Sequence, residues 1–67
     1  KQAALAEAVL AVHDRAQALV SEGRPVTLLE QVDYTPLLRA GAELASDDAA
    51  GVAACRDQVL AAMEHQA

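Results

Sequence analysis

Few residues in this chain belong to types that do chemistry, so their spacing is decisive. Cys55 with His13 and His65 is the only set that could bind a metal or supply a thiol nucleophile. Structural and catalytic zinc sites bring at least two ligands at close spacing, as in C-x-x-C or H-x-x-x-H. No two of these three residues are neighbours in that sense. Cys55 falls among apolar residues, where a free thiol behaves as a small hydrophobe. Asp47 and Asp48 imitate a carboxylate pair, but acid–base chemistry needs two environments that push the pKa values apart. Adjacent residues at a helix start share solvent, and capping is the better reading. Asp14-Arg15 and Arg56-Asp57 are sequence neighbours, which do not face one another on a helix, and exposed pairs contribute little. A Gly-rich phosphate loop, an H-E-x-x-H pattern and a nucleophile close to a base are all missing from the sequence.

One segment offers recognition rather than catalysis. Between Val32 and Ala40 the only aromatic residue, Tyr34, stands beside Leu37, Leu38 and Arg39. Tyr and Arg are enriched at interface hot spots. The plainer role for Tyr34 and the leucines is to fill a core that alanine leaves thin. Both roles are compatible, with Tyr34 turned inward and Arg39 outward. Tyr34, Leu37, Leu38 and Arg39 are therefore the candidate partner-contact residues. No catalytic, cofactor-binding or metal-ligating residue is expected.

The elements that position them follow from periodicity. From Gln2 to Glu22, Leu5, Val9, Val12, Ala16 and Leu19 recur at steps of four and three, one stripe along a helix. Leu10 and Val20 widen it, while Glu7, Asp14, Gln17 and Ser21 take the other side. Gly23 suits the left-handed position after the last turn, and Pro25 cannot continue the helix. Thr27-Leu28-Leu29-Glu30 matches a capping box and predicts a short helix from Leu28 to Val32. Asp33 and Thr35 each offer a cap, and with Thr35 as the cap Pro36 takes the favoured first position of a turn through Ala40. Gly41 is a candidate break, although Ala42 to Ala45 can carry the helix on. Ser46 is the expected cap of a last helix from Asp47 to about His65, with acidic charge at its positive end. Val52, Cys55, Val59 and Met63 mark its apolar face, joined by Leu60. The expected fold is all-α: a small single-domain helical bundle over residues 1–67, with two long helices joined by one or two short ones.

Length and composition set the limits. At 67 residues there is room for one core, and a chain this short buries only about 60% of its unfolded surface. Seventeen residues are Ala, which favours helix but adds little buried area. Modest stability follows unless the domain docks on something. Ten acidic against five basic residues, with no basic run, argues against nucleic acid. No apolar stretch approaches the ~18 residues that span a bilayer, and Glu7, His13 and Asp14 interrupt any signal-peptide pattern. The single cysteine fits a reducing compartment. Because the sequence opens on Lys1 rather than Met, it is expected to be a piece of a longer polypeptide.

The order of features resembles a known family. Lys1-Gln2 opens a helix ending in His13-Asp14-Arg15-Ala16-Gln17-Ala18-Leu19-Val20. Gly23-Arg24-Pro25, a Leu-rich short helix, Leu37-Leu38-Arg39 and an acidic start to a final amphipathic helix then follow. This resembles the C-terminal helical region of the catalytic A subunit of V-type (archaeal and bacterial V/A-type) ATP synthases, over nearly the whole chain. The chain differs at Val12-His13, where the family has an aromatic pair. It also differs in the adjacency of Leu38 and Arg39, and at Ala40-Gly41, where a basic residue follows the family's Arg. Contacts made through those positions are not carried over. The resemblance implies a rotor-facing mechanical element of an enzyme that couples ATP hydrolysis or synthesis to proton or ion transport. ATP and Mg would then bind only in the upstream part of the parent chain. The implied partners are the rest of that subunit, the central rotor and neighbouring subunits, and the implied location is cytoplasmic, peripheral to the membrane within a complex. Packed helices suit a lever because they shift as rigid units. Such a fragment would not hydrolyse ATP alone. Read from its residues only, the chain is also an acidic helical interaction or dimerisation module whose stripes pair with another helix. In isolation, it is then open to self-association. A third reading, a small helical enzyme whose site assembles across a dimer, lacks the inward-facing charged groups such a site needs.

Overall fold

The computed structural model describes residues 3–65, so the expected role of Lys1-Gln2 in opening the first helix lies outside the described residues. Four helices follow in order: α1 (Ala3–Ser21), α2 (Leu28–Gln31), α3 (Thr35–Glu43) and α4 (Ala49–Glu64). No strand occurs among the described residues. The expected all-α bundle of two long helices with short ones between them is what the chain forms.

Helix directions follow from the contacts at each end. Arg15 in the last half of α1 meets Glu64 at the end of α4, and Ala4 and Ala8 share a groove with Ala49, Val52 and Ala53 near the other end. The two long helices therefore run the same way. The close of α3 reaches both of their starts, Gly41 against Leu5 and Leu44 against Gly51, so α3 runs opposite. That direction sets its negative dipole end between two positive ones.

The first link is a Schellman turn. The Arg24 N–H bonds the Leu19 carbonyl and the Gly23 N–H bonds that of Val20, with Gly23 at φ 118°. This closes α1 where Gly23 and Pro25 predict. The capping box at Thr27 does not form. Thr27 is already helical (φ −61°, ψ −18°) and its side chain caps nothing. Turn bonds starting from the carbonyls of Pro25, Val26 and Thr27 satisfy the N–H groups of Leu28, Leu29 and Glu30, so the Glu30 N–H that the Thr27 side chain would accept is already bonded to the Thr27 carbonyl. The short helix accordingly ends at Gln31, one residue before the expected Val32.

Of the two caps offered before α3 the structure uses one, and the cap of α4 differs from expectation. Asp33, rather than Thr35, prepares α3: its Oδ1 accepts the Thr35 N–H at 3.0 Å and also the Thr35 hydroxyl. Thr35 is thereby the first helical residue. The helix then runs on through Gly41, where a Cβ would stand 2.9 Å from Leu5 Cδ2. Glycine here permits close approach to α1 instead of ending the helix. Asp48, not Ser46, caps α4, accepting the Gly51 N–H at 2.9 Å. A turn from Ala45 to Asp48 precedes it, which delays the helix to Ala49.

The core explains how an Ala-rich chain fills space. Ala8, Val12, Ala16 and Leu19 of α1 are buried, as are Val52, Val59 and Met63 of α4. The connecting segment contributes Leu28 and Leu37, two large side chains that add to a core to which Ala8 and Ala16 give little area. Each such fully buried side chain stabilises the fold by about 1.5–3 kcal/mol. Cys55 and Leu60 pack against this core while half-buried.

Candidate protein interface

Tyr34, Leu37, Leu38 and Arg39 lie at the start of α3 and divide by direction. Leu37 is 1% exposed and is among the largest fully buried side chains. Tyr34 is half-buried and packs on the core. Leu38 is 70% exposed. Arg39 also faces solvent, its Nε 3.9 Å from Glu43 Oε2 one turn on, an exposed helical pair worth about 0.3–0.5 kcal/mol.

Tyr34, Leu37 and Leu38 form one side of an apolar groove whose other side is Leu5 and Val9 of α1. Its volume is about 390 Å³. The two α1 residues were expected in the core stripe. Leu5 is only half-buried, and Val9 is 39% exposed because Ala8 takes the inward position beside it. The sequence signal was the width of the apolar arc on α1, broader than its neighbours cover. Leu10, also counted into that arc, is 60% exposed and does not line this groove.

The residues that might do chemistry remain apart. His13 and His65 are exposed and Cys55 is half-buried beside α3, in a cleft shared with Pro36 and Leu44. Among the described residues, no group of three or more His, Cys, Asp or Glu is placed to hold a metal ion. No described helix is long and apolar enough to cross a membrane. Arg56 and Asp57 correct the expectation that sequence neighbours stay apart: the Arg side chain folds back and its Nη2 lies 3.0 Å from Asp57 Oδ1. Asp57 is exposed and Arg56 partly so, and such a surface pair contributes little.

Charge is organised mainly at the end of the bundle where α1 and α4 finish. Arg15 Nε donates to Glu64 Oε2 at 2.7 Å, with Glu22 Oε2 4.0 Å from the same guanidinium. Arg24 Nη2 donates to the Glu64 carbonyl at 3.3 Å, placing a cation on the negative end of α4. The Arg15 hydrogen bond holds the Glu64 carboxyl below its ordinary pKa, and Arg15 and Arg24 charges act in the same direction. Asp33 is lowered in the same way by the Thr35 hydroxyl, then by the Thr35 N–H. A depressed folded-state pKa contributes stability above the unfolded value and loses it as pH falls through the folded one. Glu64→Gln should therefore be less stable than the parent at pH 7, and the gap should close below pH 4. Urea titrations of both chains at pH 7 and pH 3 measure this, and an equal gap at both values would remove the ionic contribution.

Comparison of the chain with protein-family models, with curated proteins and with solved structures gives no match.

Proposed function

We propose that this chain acts mechanically, by contact, as the C-terminal helical region of a V-type ATP synthase catalytic subunit. The support is the order of its features: the Gly23-x-Pro25 turn, the Leu37-Leu38-Arg39 helix and the acidic start of the last helix. The observation that carries a contact role is the outward position of Leu38 and Arg39 beside an apolar groove. On this reading the nucleotide site belongs to the parent chain upstream. The α3 surface touches the rotor or a neighbouring subunit. Sequencing the native transcript upstream of Lys1 tests it. A several-hundred-residue extension carrying G-x-x-x-x-G-K-[ST] supports the assignment. A start codon immediately before Lys1 overturns it.

A second reading has its own observation. The groove lined by Leu5, Val9, Tyr34, Leu37 and Leu38 is apolar throughout, the surface chemistry that an amphipathic helix's apolar face fits. This favours an acidic helical association module that pairs through that face.

A further inference from the structure

We draw no further inference here: the strongest candidate, the apolar groove between α1 and α3 lined by Leu5, Val9, Tyr34, Leu37 and Leu38, carries none because nothing in the structure shows what covers it.

Discussion

Leu37→Ala should unfold the chain at 25 °C. Leu37 is 1% exposed and sits where α3 meets both long helices. Removing its side chain costs the lost burial plus the cavity, about 2–5 kcal/mol. A single core of fewer than about 70–80 residues rarely supplies more than 3–5 kcal/mol in total. The truncation therefore removes most or all of the margin. The neighbouring Leu38→Ala should leave the monomer's melting temperature nearly unchanged, because that side chain is 70% exposed and exposed substitutions fall within about 0.5 kcal/mol. Thermal melts by circular dichroism at low micromolar concentration separate the two. If both leucines cost the same, the inward and outward sides of α3 have been misassigned.

The second large effect is purely conformational. Gly23 has φ 118°, and a Cβ built on it meets nothing within 4 Å. Space is therefore not the obstacle. The left-handed backbone costs an ordinary residue about 1–2 kcal/mol, while Asn is better tolerated there. A β-branched side chain is a stronger outlier still. The order of stability should be Gly above Asn, then Ala, then Val, with Gly23→Val losing about 1–3 kcal/mol as a strained site does. Urea midpoints of the four chains give the order directly. Equal stability of Ala and Gly would mean that the turn relaxes to negative φ and that the Leu19–Arg24 bond is dispensable.

These two predictions rest on features of different legibility. Gly23 could be read from sequence because a glycine followed at two positions by proline leaves a helix few other ways to end. The last helix was legible from Val52, Val59 and Met63, whose steps fit only one period. The caps were not legible. Thr27, Asp33, Thr35, Ser46 and Asp48 all carry an oxygen able to cap, and the choice among them is made by the turn leading in. At Thr27 the Glu30 N–H that its side chain would accept bonds the Thr27 carbonyl instead. At Ser46 one further turn moved the start to Asp48. The groove was half legible: Tyr34 and Leu38 drew notice as an aromatic and a leucine in an irregular stretch. Leu5 and Val9 did not, because a periodic stripe shows that a face is apolar and not how far the neighbouring helix covers it.

The common direction of α1 and α4 has a consequence for how this body joins to anything else. In many domains the chain's two ends come close together, which is why circular permutation is tolerated. Here Ala3 starts one long helix at one end of a 37 Å molecule and Glu64 finishes the other at the opposite end. A covalent bridge between them would need on the order of ten extended residues, at about 3.3–3.6 Å each. Flanking segments would leave in opposite directions. A pull between them would slide α1 along α4 with the whole seam sharing the load, instead of peeling one helix away turn by turn.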